Sequence, residues 1–233
     1  MKDKPKLKVL HIGIKNYPMS SGLNSQDLKG IRGGGMNKYC DILISSLPNN
    51  IHPIIITQRL SGEKKFQIIN NVHVYRVRTF GNRAIRQIVL NIFSFLLSFN
   101  IIKKNNIRIV HGHMQIGIFF SYLLSRIHKI KSIGTPYSFA TKSQHFAFSR
   151  FAKFIENFVY GKIDKIIFET YENKLKAKEI RGLSFPNSDV INTGVSVPEN
   201  IYFFNHKKKV INLFFIGRIV KIKALDNLIL AFD

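Results

Sequence analysis

The residues of this 233-residue chain best suited to chemistry lie in four short segments. Val110-His111-Gly112-His113 falls where an apolar run gives way to a loop. Residues i and i+2 of a strand face the same way, so the two imidazoles can converge on a substrate, on a metal ion or simply on the core. A metal needs at least a third ligand, and no carboxylate or thiol stands nearby in the sequence, so no metal is expected. Gly33-Gly34-Gly35 opens a helical pattern. Glycines there let the backbone approach a ligand, and free N–H groups with the helix dipole favour a phosphate; a flexible turn that starts a helix reads the same way. Gly134-Thr135-Pro136-Tyr137-Ser138 ends another apolar run, either as a substrate-side loop or as a Pro-containing turn. Finally, Phe215-Ile216-Gly217-Arg218 is followed by Lys223. Two cations ahead of a helix start suit a diphosphate whose charge grows as its bond to a sugar breaks, and they equally describe an ordinary basic loop.

The elements that position these groups alternate. Lys8–Ile14 reads as a buried strand, followed by a polar loop through Arg32. Met36, Tyr39, Cys40, Leu43, Ile44 and Leu47 mark one face of a helix that Pro48-Asn49-Asn50 stops. Strands are predicted at Ile54–Thr57, Val72–Arg78, Ile107–Val110, Lys131–Thr135, Lys165–Phe168 and Asp189–Ile191. Helices are predicted at Ala84–Lys104, Ile116–Ile127, Phe146–Tyr160 and Thr170–Arg181. A basic linker, Tyr202–Lys209, precedes a further strand at Val210–Ile216 and a helix at Leu225–Phe232. This alternation predicts an α/β fold: a Rossmann-like parallel sheet with helices on both faces and ligands beyond the carboxyl ends of its strands. A nicotinamide fingerprint does not fit, because the second strand ends in Gln58-Arg59 without a ribose-binding acid.

Composition bounds the partners. With 45% hydrophobic residues the chain can bury a core, which excludes a disordered tail or a collagen-like fibre. Lys plus Arg number 36 against 13 Asp plus Glu, a net charge of +23 that favours acidic partners, although abundant Ile, Asn and Lys also reflect A/T-rich codons. No recognition motif for nucleic acid is present, and the basic residues are spread along the chain, so nucleic acid is not expected as a partner. The single cysteine, Cys40, excludes an intramolecular disulfide and suits a reducing cytoplasm. The apolar run Val9–Ile14 is too short for a signal-peptide core. The run Ile88–Ile102 is too short to span a bilayer, and Gln87, Asn91, Ser94 and Ser98 draw a polar stripe along it, predicting an amphipathic rather than a transmembrane helix. Phe146, Phe148, Phe151, Phe154 and Phe158, interleaved with Arg150 and Lys153, form a candidate surface for anionic lipid, though aromatic residues at helical spacing commonly pack in cores.

The order of the motifs resembles glycosyltransferase family 4, retaining GT-B enzymes that move a sugar from a nucleotide-sugar donor. Gly34-Gly35 with the helix after it is similar to that family's phosphate-side glycine loop, and Ile109-Val110-His111-Gly112-His113 to its strand end. Asp164-Lys165-Ile166-Ile167 followed by Thr170, Val190-Ile191-Asn192-Thr193-Gly194-Val195, and Gly217-Arg218 through Lys223-Ala224-Leu225-Asp226-Asn227-Leu228-Ile229 match three further motifs in order. The resemblance implies an acceptor-side domain over 1–205 and the beginning of a donor domain over 206–233. It implies that Arg218 and Lys223 hold the donor diphosphate, that Gly34 and Gly35 approach it from the other domain, and that His113, Thr135 and Tyr137 lie on the acceptor side. Catalytic residues are not assigned by it. The nucleotide-sugar is a substrate and no cofactor is expected; the acceptor is a lipid-linked or cell-surface glycan, and an anionic membrane surface on the cytoplasmic side is a further partner. Tyr137 stands where the family often has histidine, and a tyrosine donates hydrogen bonds but is a poor base near neutral pH. Ser196 replaces a usual aspartate, and the family's paired-glutamate motif does not occur in the sequence. The chain is therefore expected to bind donor weakly and turn over poorly. The alternative is a non-catalytic acceptor- or membrane-binding partner domain.

Overall fold

The structure, a computed structural model, describes residues 7–18, 35–137, 153–154, 156–182, 185–194, 215 and 224–231. The chain divides into two compact units, Met1–Ser196 and Val197–Asp233. In the second, the described residues are Phe215 and 224–231, which hold a helix at Leu225–Leu230. The predicted linker Tyr202–Lys209 and the predicted strand Val210–Ile216, apart from Phe215, lie outside the described residues.

The first unit is built on an eight-stranded sheet. In chain order its elements are β1 (Leu7–Ile12), α1 (Gly35–Ser45), β2 (Ile51–Gln58), β3 (Phe66–Ile69), β4 (Val72–Val77), α2 (Arg83–Asn105), β5 (Ile109–His113), α3 (Met114–His128), β6 (Lys131–Thr135), β7 (Lys165–Phe168), α4 (Tyr171–Arg181) and β8 (Ser188–Val190). The spatial order is β3-β4-β2-β1-β5-β6-β7-β8, parallel throughout except for the β3–β4 hairpin. The predicted α/β Rossmann-like sheet is therefore present.

Most boundaries follow from the sequence for plain reasons. The central strands are rich in Leu, Ile and Val and are buried on both faces near their carboxyl ends, as parallel strands covered on both sides must be. Burying each such side chain stabilises the fold by about 1.5–3 kcal/mol. Strand β5 begins at Ile109 and runs through both histidines, later than the Ile107–Val110 pattern suggests. Strand β2 starts at Ile51, before Pro53, and its ladder with β4 begins only at Ile54. Strand β3 was not predicted. Its four residues, FQII, are mostly exposed, and an edge strand without a buried face leaves no periodicity to read. It joins β4 through Asn70-Asn71, both at positive φ (47° and 65°), the backbone of a two-residue hairpin turn.

The sheet faces are assigned by alternation. Leu10, Ile12, Ile54, Ile56 and Val110 point to one face and pack with Ile101, Ile102 and Leu124 of α2 and α3. Ile55, Val72 and Val74 pack with Tyr39, Cys40 and Ile44 of α1. Residues between Leu10 and Ile12, and following Val110, therefore face α1.

Helix α2 is two-faced, as its spacing predicts, and the structure decides which face meets the sheet. Its polar stripe faces inward: Asn91, Ser94 and Ser98 are buried, and Ser98 Oγ and Asn91 Nδ2 donate to carbonyls one turn back, at 2.6 and 2.7 Å. Ile85, Ile92, Phe93 and Leu96 face outward, Leu96 being 56% exposed. The helix also exceeds the apolar run seen in sequence; Ile85–Asn105 is long and apolar enough to cross a membrane by length and composition. It nevertheless packs along β1, β2 and α3.

Candidate functional site at the carboxyl edge of the sheet

The strand order reverses direction between β1 and β5. From β1 the chain builds outward through β2 and β4, then returns through α2 to lay β5 against the other side of β1. Ligands of open α/β sheets bind in the crevice beyond the carboxyl ends at such a switch point. Here those ends are Ile12-Gly13 and His113.

Three glycines bring the surrounding backbones together. Gly13 sits at φ +87°, and a Cβ on it would lie 2.2 Å from the His113 carbonyl oxygen. A Cβ on Gly112 would lie 2.4 Å from the Gly117 carbonyl oxygen in the first turn of α3. Only hydrogen at these positions lets the loop after β1 and the start of α3 meet at the strand ends. Met114, at φ +61°, turns the chain directly from β5 into α3.

Onto this frame the parallel register places His11 opposite His111, with His113 two residues on. All three rings are buried and point to the α1 side. The His111 and His113 rings stack at 4.2 Å between centroids, the shared direction expected from their spacing. His11 lies 5.1 Å from His111 and 5.5 Å from His113 by the same measure. His11 Nδ1 and His113 Nε2 share a hydrogen bond at 3.2 Å, His113 Nδ1 and the Tyr137 hydroxyl another at 2.7 Å, and His111 Nε2 and Thr135 Oγ1 a third at 2.8 Å. Cys40, reaching down from α1, lies 3.4 Å from the Tyr137 oxygen and 3.9 Å from His113 Nδ1.

Burial sets the protonation of this cluster. It lowers His111 to about 3, and with repulsion from its neighbours it holds His113 and His11 well below the ordinary imidazole value, so all three are neutral at pH 7. Burial pushes the Cys40 thiol up to about 12 and raises the Tyr137 phenol further, with Cys40 adding to the shift. Neither is an anion or a base; each keeps its proton. At the rim lies Glu169, directly after β7, whose carboxyl is raised by half-burial while Thr193 donates to it at 3.5 Å. Its field reaches Tyr39, Cys40 and Tyr137.

The structure thus brings His113, Thr135 and Tyr137 together. His113 and Thr135 are completely buried, so Tyr137 is the member of the three that meets the surface. Gly35 is exposed at the first position of α1, with open space where a Cβ would be. Gly34, Arg218 and Lys223 lie outside the described residues. Sequence reasoning missed His11, Cys40 and Glu169. A histidine inside the apolar run Val9–Ile14 was a signal, since a buried strand rarely carries one without a partner. Cys40 and Glu169 are joined to the histidines by folding alone. Thr170, the end of one motif matched above, accepts from the Asn173 backbone N–H at 3.1 Å and caps α4.

The family described as Glycosyltransferase Family 4 matches residues 33–198, more than half of the sequence. The chain belongs to glycosyltransferase family 4. No curated protein gives a significant sequence match. Among solved structures, sucrose-phosphate synthase from Thermosynechococcus elongatus superposes with a TM-score of 0.60 at 10% identity, over 82% of this chain and 48% of that one. The lipopolysaccharide outer core galactosyltransferase WaaB superposes with a TM-score of 0.52 at 16% identity, over 95% of this chain and 57% of that one. Anabaena HepE, solved with UDP-glucose, gives 0.48 at 10% identity, over 81% and 44%. This family 4 chain therefore shares the GT-B fold and spans about half the length of the enzymes it resembles.

Proposed function

We propose that this chain is the acceptor-side part of a nucleotide-sugar-dependent glycosyltransferase that acts on a lipid-linked or cell-surface glycan. The observation that carries the reading is the position of the part-buried His113–Tyr137 pair, with the charge of Glu169 acting on Tyr137, at the sheet's switch point in a chain of family 4. A phenol that keeps its proton and a half-buried carboxyl suit hydrogen bonding to sugar hydroxyls. In the reaction the acceptor oxygen bonds to the anomeric carbon, the nucleoside diphosphate departs with the bonding pair, and the acceptor's proton passes to it. The reading gives Arg218 and Lys223 the role of neutralising the diphosphate, and Gly34 and Gly35 that of offering backbone N–H groups to a phosphate. No cofactor takes part in the transfer itself.

The outward face of α2 favours a membrane-facing role at the same time. Ile85, Ile92, Phe93 and Leu96 form an apolar strip with Arg86 exposed near one end and Lys103 and Lys104 at the other. Phe154 and Phe158, two members of the aromatic patch read from sequence, are exposed and stacked at 5.6 Å, with Lys162 over the Phe158 ring. Apolar side chains rimmed by cations fit an anionic bilayer surface, where a lipid-linked acceptor resides. Phe146, Phe148 and Phe151 lie outside the described residues.

The experiment is a pair of titrations into the purified chain: a lipid-linked oligosaccharide fraction, and a panel of UDP- and GDP-sugars. The reading expects saturable glycan binding that Glu169→Gln weakens, and donor binding only near the millimolar level, about 4 kcal/mol. Absence of glycan binding, or micromolar donor affinity with rapid turnover, would contradict it.

A further inference from the structure

The sequence offers two histidines, and the fold adds a third. His11, His111 and His113 each present one ring nitrogen, and these atoms all lie within 4.8 Å of one another in the interior. The structure assigns a candidate site for one divalent transition-metal ion to these three residues, and we propose that the ion is taken up as a tris-imidazole complex of the zinc type.

The geometry fits such an ion. Two nitrogens on a tetrahedral zinc, each about 2.0–2.1 Å from the metal, stand roughly 3.4 Å apart. His11 Nδ1 and His113 Nε2 are already 3.2 Å apart. The third nitrogen, from His111, lies within 4.8 Å of both. Three neutral imidazoles also match the preference of zinc, copper and nickel for nitrogen donors.

A further observation points to a ligand rather than to packing: the outer shell of a metal site is present. His113 Nδ1 is held by Tyr137 and His111 Nε2 by Thr135, the kind of second partner that fixes ring orientation in metal-bound histidines. Coordination through His113 Nε2 needs the tautomer whose Nδ1–H donates to the Tyr137 oxygen; Tyr137 then directs its own hydrogen to Cys40 Sγ, 3.4 Å away. The ion would link β1 to β5 beneath the switch point. This inference does not depend on sugar transfer.

The test uses the full chain, stripped with a chelator and titrated with Co²⁺ and Zn²⁺. The expected result is one ion per chain, with intense visible Co²⁺ bands of a four-coordinate site that Zn²⁺ abolishes, and a higher thermal midpoint with Zn²⁺. His11→Asn should weaken binding by about 10-fold or more, whereas His52→Asn, which removes one ring of the surface pair His52–His73, should leave it unchanged. Since a core variant can fail to fold, the wild-type spectrum is decisive by itself. Weak, octahedral-type Co²⁺ absorption, or binding abolished by His52→Asn, would overturn the proposal.

Discussion

The hydroxyl of Tyr137 lies 2.7 Å from Nδ1 of His113, and through that contact the loop after β6 is tied to the carboxyl end of β5. His113 is completely buried, so the phenol is the link between an interior imidazole cluster and the rim of the crevice. Tyr137→Phe removes the oxygen, leaving His113 Nδ1 with only a distant thiol at 3.9 Å. The expected loss is about 1–3 kcal/mol, read as a lower denaturant midpoint with an unchanged slope.

The buried histidines make stability depend on pH in a definite direction. Their folded-state values lie below that of the unfolded chain, near 6.5, so below pH 6.5 the unfolded state binds more protons. Stability is therefore complete above about pH 6.5 and falls as the pH drops towards 3, by about 1.4 kcal/mol per pH unit for each histidine. Urea melts in the presence of chelator at pH 7.5 and pH 5 check this. His111→Asn should flatten the slope by one proton.

Gly13→Ala tests the close approach of β1 and β5. The added methyl meets the His113 carbonyl at 2.2 Å and must also adopt φ +87°. Strain of this kind costs about 1–3 kcal/mol before the clash is counted, and relief requires the β5 terminus to move. A thermal midpoint lowered by several degrees is expected. Gly62→Ala is the control, because its φ of +78° is similar but open space surrounds it.

The outward strip of α2 should be separable from the core. Leu96→Glu changes an exposed side chain, so the denaturant midpoint should move by less than about 0.5 kcal/mol in free-energy terms. Co-sedimentation with vesicles of phosphatidylcholine and phosphatidylglycerol should fall several-fold, and wild-type binding should weaken in pure phosphatidylcholine. Equal sedimentation of both proteins would contradict the membrane-facing reading.

Much of this was legible in the chain itself. The parallel sheet follows from apolar runs separated by helical patterns, and Lys131–Thr135 and Lys165–Phe168 were read to the residue. The convergence of His111 and His113 followed from the period of two. What could not be read was contact across sequence distance. His11 meets His113 because β1 and β5 are neighbours, a pairing set by the return crossover and not by any local pattern. The inward turn of the α2 polar stripe was equally hidden, because periodicity fixes that a helix has two faces but not which one meets the sheet. Small Ser and Asn side chains that bond their own helix can serve as the buried side.

The most direct test of the account is to map where a glycan binds. Amide NMR spectra of the labelled chain, recorded during titration with a lipid-linked oligosaccharide fraction, should show perturbations centred on Gly13, Gly35, Met114, Tyr137, Glu169 and Thr170, at the carboxyl edge of the sheet. Perturbations confined to the opposite edge of the sheet, or none at saturating glycan, would contradict the assignment of this crevice as the acceptor side.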